Sequence, residues 1–401
     1  MPNAAALVGS LLVPGLAALA EVAPAAAQER RTRMAGNIGD FLRGSLVLHA
    51  AWLAAHPLPA APWVWSVGDA HVGNFATLAT GPLTRAGRSA VTYGVSDIDD
   101  EHPTPWHWDL VRLMASMTVT LADGRGRGTA DELVACCVSD YLRIVQAAAQ
   151  HDEHSVRLDY HGLPEALKAA IEHDADDGVL KKHRRAFIDG KQLRPGKSCA
   201  PDAAARRVLL PAIEAIMTRT PPAKEWQVLD LARRTTSGGL ASLGRRRWWV
   251  LARERDREGE WVPRLLEMKE HRPSAHAVFL PAQPFAATST TRWSLPMGGD
   301  PWQRFIPLGT GEALLRTRCQ ARTVLDLTAM DRGDRIRLAR LWGQLLALAH
   351  LESGRALGQA AETTATQLAT ATQTHGPALC ALAGQLAEWT GKAHKAFRAR
   401  S

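Results

Sequence analysis

The chain has 401 residues, 46% of them hydrophobic and 22% charged, with a formal net charge of +8. This composition excludes wholesale disorder and supplies enough apolar surface for two or three domains. The positive balance favours anionic ligands such as nucleotides and phosphates, but charge alone more often marks a solvated arginine-rich surface, and nucleic acid is not an expected partner.

Residues 1–33 read as a variable N-terminal tail. They are Ala/Leu-rich and end near Ala25-Ala26-Ala27-Gln28, but lack a basic start and are interrupted by Pro14 and Glu21. No apolar run is expected to reach membrane-spanning length. The five cysteines show no CxxC or Cys/His spacing, which points to neither a zinc site nor a disulfide framework and to a reducing, cytoplasmic setting.

Leu46 to Ala55 reads as a helix and residues 62–67 as a buried strand. That strand runs into Gly68-Asp69-Ala70-His71-Val72-Gly73-Asn74-Phe75, where an acid, an imidazole and an amide gather at a strand end. Phe75 to Thr80 and Ser89 to Val95 read as two strands joined by the turn 81–88, a β-hairpin. A hairpin returns its second strand to the start of its first, so Asp97 is expected beside Asn74 and Asp69. A helix follows from Trp106, and another spans Asp131 to Gln146, with Leu133, Cys137, Tyr141 and Ile144 on one stripe. Residues 150–220 alternate helical fragments with polar breaks, and the basic cluster Lys181-Lys182-His183-Arg184-Arg185 reads as a solvated face.

From Trp226 the pattern becomes β. Strands over 226–232, 247–252 and 262–269 are joined by the glycine- and hydroxyl-rich turn 235–244 and the polar turn 255–260, an antiparallel meander. Residues 273–310 carry no periodicity. Arg335 to Leu351 reads as a helix, and 355–399 as further Ala-rich helix.

A glycine turn between antiparallel strands lets backbone N–H groups approach phosphate oxygens, here through Gly239, Ser242 and Gly244. Lys269, inward on the third strand, supplies a fixed positive charge to the same phosphates. Phosphoryl transfer also needs hard-oxygen metal ligands and an acid near the attacking hydroxyl, roles open to Asn74 and Asp97, and to Asp69. His71 reads as a packed brace for its loop. One rival is a metal hydrolase built on Asp69, His71, Asp97, Asp99 and His102, which leaves Lys269 and the glycine turn without a role.

Gly68-Asp69-Ala70-His71-Val72-Gly73-Asn74 resembles the catalytic loop of aminoglycoside-phosphotransferase-like kinases, and Asp97-Ile98-Asp99 resembles their metal-binding segment. The glycine turn and lysine precede that loop in those kinases and follow it here. The reversed order resembles the bacterial family called domain of unknown function 2252. The matching residues are Phe41-Leu42-Arg43-Gly44, Gly68 to Phe75, Ser96 to Asp100, Trp108-Asp109-Leu110, Lys269-Glu270 with Arg272-Pro273-Ser274, and Leu348-Ala349-His350. In this sequence Gly94 stands where that family has an aspartate, and the partner of Lys269 is sought at Glu270 or Glu312.

The resemblance implies an α+β, protein-kinase-like two-lobed fold in circularly permuted order. A helical catalytic lobe would span 34–220, a β-rich nucleotide lobe 225–330, and C-terminal helices 331–401. It implies an ATP- and Mg-dependent phosphotransferase acting on a hydroxyl or amine acceptor. Asp69 would be the base, Asn74, Asp97 and Asp99 the metal ligands, and Gly239, Ser242, Gly244 and Lys269 the nucleotide clamp. A nucleotide-binding pseudokinase acting through partners is the second implied reading.

Overall fold

The computed structural model describes residues 2–80, 90–122, 127–152, 162–175, 185–217, 226–236, 239–255, 258–281, 303–317 and 323–401. The hairpin turn 81–88, most of the basic cluster 181–185 and most of 273–310 lie outside them.

The chain starts with helices: Ala4–Leu7 (α1), a π-helical turn Val8–Leu12, Val13–Val22 (α2), Pro24–Gly36 (α3), Ile38–Gly44 (α4) and Leu46–Ala54 (α5). Pro24 falls in a first turn, where a missing N–H costs no helical hydrogen bond, and a π-helical turn precedes Pro14, so neither ends the run. The expected tail is therefore packed. Val8, Leu12 and Leu16 join the main core, and Trp389 Nε1 donates to the Pro2 carbonyl at 2.9 Å. Ala4–Val22, 19 residues of mean hydropathy 1.9, is long and apolar enough by length and composition to cross a membrane, contrary to expectation.

Four short strands frame two loops. Trp63–Ser66 (β1) pairs antiparallel with His102–Pro105 (β4), and Phe75–Thr80 (β2) pairs with Ala90–Val95 (β3). Ser66 opposes His102 at one end, and Phe75 opposes Val95 at the other. The connecting segments 67–74 and 96–101 are thus held at both ends by strand pairing and must lie together.

Beneath them runs His107–Leu121 (α6), buried along most of its length. Arg127–Ala149 (α7), Arg332–Ala356 (α10) and Ala361–Arg398 (α11) pack around it. Leu110, Leu113, Met117, Tyr141, Trp342, Leu345 and Leu386 share one cluster. Truncating one such leucine to alanine costs about 2–5 kcal/mol. Glu165–Asp174 (α8) packs on β2 and β3.

The second part is a six-stranded antiparallel sheet in the order β11-β12-β10-β9-β8-β7. Its strands are Cys199–Pro201 (β7), Trp226–Arg234 (β8), Arg247–Arg255 (β9), Trp261–His271 (β10), Arg304–Leu308 (β11) and Gly311–Thr317 (β12). The short pair Ile188–Asp189 (β5) and Gln192–Leu193 (β6) lies beside it. Period-two alternation sorts the faces of β10. Leu266 and Met268 pack with Leu209, Ile213 and Met217 of Ala203–Met217 (α9), while Glu267 and Lys269 point to the opposite face. β7 and α9 belong to this packing unit, so the sheet draws on residues before 220.

Candidate functional site

One stripe of α6 grips the first loop. Asp109, Arg112 and Ser116 stand at i, i+3 and i+7, the spacing that aligns side chains on one helical face. Asp109 accepts from the backbone N–H of Val67 at 2.7 Å and of Gly68 at 3.1 Å. Arg112 Nε donates to Asp69 Oδ1 at 2.8 Å, and Ser116 Oγ accepts from Val72 N at 3.0 Å. The turn between them requires Gly68: its φ is +88°, and a Cβ there would overlap the Asp100 carbonyl.

Two buried relays stand behind that stripe. His350 of α10 donates through Nε2 to Asp109 Oδ2 at 3.2 Å, and its Nδ1 accepts from Tyr141 Oη at 2.8 Å. His49 accepts from Arg112 at Nδ1 and donates through Nε2 to Thr390 of α11 at 3.1 Å. Burial, then the Arg112 charge, pushes the His49 pKa well below its usual value, which keeps the ring neutral as this pattern requires.

The hairpin delivers the second loop where the sequence predicts it. Asn74 Nδ2 donates to the Asp69 carbonyl at 3.0 Å and to the Asp97 carbonyl at 2.8 Å. Both partners are acceptors, which fixes the amide orientation and turns Oδ1 away from them. His71 Nδ1 accepts from Gly73 N at 3.0 Å, and its Nε2 lies 3.6 Å from Asp69 Oδ2, so it braces the loop.

The sheet closes on this pair of loops. Lys269 Nζ forms an ion pair with Asp99, and Arg245 reaches Asp99 Oδ2 at 3.4 Å and Asp100 Oδ2 at 3.9 Å. Ser274 Oγ donates to the Asp100 carbonyl at 2.7 Å, and Arg316 donates to the Ser96 carbonyl at 2.9 Å and lies 3.7 Å from Asp97. The partner sought for Lys269 is thus Asp99. Glu270 instead receives Arg246, and Glu312 lies opposite His271 in the sheet. Glu267 on the same face is shared by Arg234, Arg247 and Arg316, so cations outnumber carboxylates beside Lys269.

Desolvation governs the acids. Burial raises the Asp69 pKa from 3.8 to about 6, against the opposing pull of Arg112, and burial also raises Asp100. A carboxyl poised near neutrality can exchange a proton with a bound hydroxyl. Asn74 Oδ1 and the Asp97 carboxylate are hard-oxygen donors, and Mg²⁺ is usually bound by one or two protein ligands plus phosphate. This set fits such an ion; Asp99 is engaged by Lys269 and Arg245. Among the described residues no three His, Cys, Asp or Glu converge to hold a metal ion, which leaves the His/Asp hydrolase set without a cage.

The turn 239–244, whose backbone N–H groups are expected on phosphate, uses part of them within itself. Leu240 and Leu243 are buried in the helical core, Ser242 is buried, and Ser242 N and Leu243 N bond within the turn. Gly244 has φ +77°, and a Cβ there would collide with Leu19. The turn docks on α2 and α4, while Arg245, just before β9, and Lys269 of β10 reach the loops.

The motif positions coincide with a known family. The model of the family described as "Uncharacterized protein conserved in bacteria (DUF2252)" matches residues 22–400. The chain belongs to this family. No curated protein and no solved structure matches it. In this DUF2252 protein the match takes in both loops, the α6 stripe, the basic sheet face and His350. Sequence reading missed Asp109, Arg112 and Ser116 as a unit; their signal was three polar residues at helical spacing inside an otherwise apolar helix.

Proposed function

We propose that this DUF2252 protein is an ATP- and Mg²⁺-dependent phosphotransferase with a kinase-like, circularly permuted arrangement, acting in the cytoplasm on a hydroxyl- or amine-bearing small molecule. The observation that carries the reading is the Lys269–Asp99 ion pair, which seats the basic sheet face on the loops that bear Asp69, Asn74 and Asp97. Those elements lie far apart in sequence, and their convergence on a buried lysine, three aspartates and an oriented asparagine supports a shared site.

In this reading Lys269, with the neighbouring arginines, holds nucleotide phosphates as fixed positive charge, and Asp99 orients the lysine. Gly239, Ser242 and Gly244 anchor the turn that positions β9 and β10. Asn74 and Asp97 would hold Mg²⁺, which when bound neutralises phosphate charge. Asp69 takes the acceptor proton, and Arg112 fixes its carboxylate. Rate enhancement comes from positioning and electrostatics.

The Arg112–Asp69 ion pair favours a second reading, a nucleotide-binding pseudokinase, because an acid already bound to arginine is a weaker base. ATP turnover separates the two. The phosphotransferase reading requires Mg²⁺-dependent turnover that Asp69→Ala abolishes while nucleotide binding persists. Binding with no turnover in either protein establishes the pseudokinase.

A further inference from the structure

A second group of cations lies around the turn 239–244, near Arg245. Arg30 Nη2 donates to the Gly44 carbonyl at 2.6 Å, and its Nε is buried without a hydrogen-bond partner among the described residues. Arg43, the residue before Gly44, stands between the first loop and the turn. A Cβ on Gly73 would lie 3.9 Å from Arg43 Cζ, and one on Gly239 would lie 3.6 Å from its Nη2. Arg272 Nη2 donates to the Gly244 carbonyl at 3.1 Å. Arg43 and Arg272 therefore reach this turn beside the Asp69 loop, and Arg30 joins them through Gly44, which packs on Leu240 of the turn.

The carboxylates nearby do not balance them. Asp40 lies 3.9 Å from Arg43 but is hydrogen-bonded by Arg33 at 3.0 Å. Glu270 lies 3.7 Å from Arg272 and accepts from Arg246 N at 3.0 Å. Asp99 and Asp100 face Arg245. Among the described residues Arg30 has no carboxylate within ion-pair range. Burial, then Arg245 and Arg272, lowers its pKa, while Asp100 and Asp69 oppose them. Like charges held this close with a buried unused N–H make a site that an anion completes. Guanidinium forks arriving from several directions suit a tetrahedral dianion better than a planar carboxylate, which one fork satisfies.

We propose that Arg30, Arg43 and Arg272 form a phosphate-binding site at the turn 239–244 that takes a phosphomonoester group of the acceptor. The substrate class is then a phosphorylated small molecule, and only that assignment to the acceptor rests on the phosphotransferase reading. The site itself stands without it.

The test is calorimetric titration of the full chain with inorganic phosphate, with and without ATP–Mg²⁺. Saturable phosphate binding is expected, weakened about tenfold or more by Arg43→Gln or Arg30→Gln and less by Arg43→Lys. Phosphate and ATP–Mg²⁺ should bind together. Thermal midpoints of the variants establish that each is folded. Absent phosphate binding, equal binding by wild type and folded Arg43→Gln, or competition between phosphate and ATP–Mg²⁺ overturns the proposal. Phosphate binding without any nucleotide binding upholds the site and sinks the phosphotransferase reading instead.

Discussion

Arg112→Met isolates the electrostatics at the centre of the site. Arg112 is almost wholly buried and binds Asp69, His49 and the Leu42 carbonyl, the last at 3.1 Å. Even with it in place, burial holds the Asp69 pKa at about 6 rather than 3.8, worth about 3 kcal/mol at about 1.4 kcal/mol per pH unit. Both the charge and the hydrogen bond of Arg112 pull that value down, so without them it rises above 6. A raised carboxyl pKa means that the folded state binds more protons than the unfolded state from about pH 4 upward. Stability therefore falls as pH rises through this window and levels off above the folded pKa. In Arg112→Met the falling window extends past pH 6. Removing one partner of a buried pair costs about 3–5 kcal/mol. Urea denaturation should show most of that loss at pH 8 and clearly less at pH 5, where Asp69 is protonated. Adding Asp69→Asn should restore part of the stability at pH 8. Equal losses at both pH values, with no recovery in the double variant, would mean that Arg112 acts by packing alone and would refute the reasoning.

Asp109→Asn leaves the Val67 or Gly68 N–H poorly satisfied and should cost about 1–3 kcal/mol. Turnover should fall further than stability, since Asp69 follows Gly68; this is read by denaturation and initial rates together. Gly68→Ala forces a side chain to φ +88° and into the Asp100 carbonyl, so little soluble folded protein is expected by circular dichroism. With Asp69 as base, kcat/KM should rise with pH through about 6 and then level off, and a profile flat from pH 5 to 8 removes Asp69 from proton transfer.

The sequence was most informative where local rules act. Alternation and turn composition predict the 75–95 hairpin, and the hairpin alone brings Asp97 to Asn74. The same alternation points Lys269 away from Leu266 and Met268. Tertiary partners were not legible. Asp99 was grouped with the metal ligands because Asp97-Ile98-Asp99 sits in one motif, yet β10 brings Lys269 onto it. His350 and Thr390 lie more than 200 residues from the loop they support, beyond any local pattern. The docking of the turn 239–244 on Leu19 depends on an N-terminal helix that reads as a tail, because its apolar face is diluted by alanine. The polar stripe of α6 was legible in principle, since Asp109, Arg112 and Ser116 interrupt an apolar helix at i, i+3 and i+7.

ATP binding with and without Mg²⁺, measured by titration calorimetry on wild type and Lys269→Met, tests the central claim most directly. Saturable, Mg²⁺-dependent binding that Lys269→Met weakens about tenfold or more is the expected result. No binding at millimolar nucleotide, or identical binding by both proteins, would contradict it.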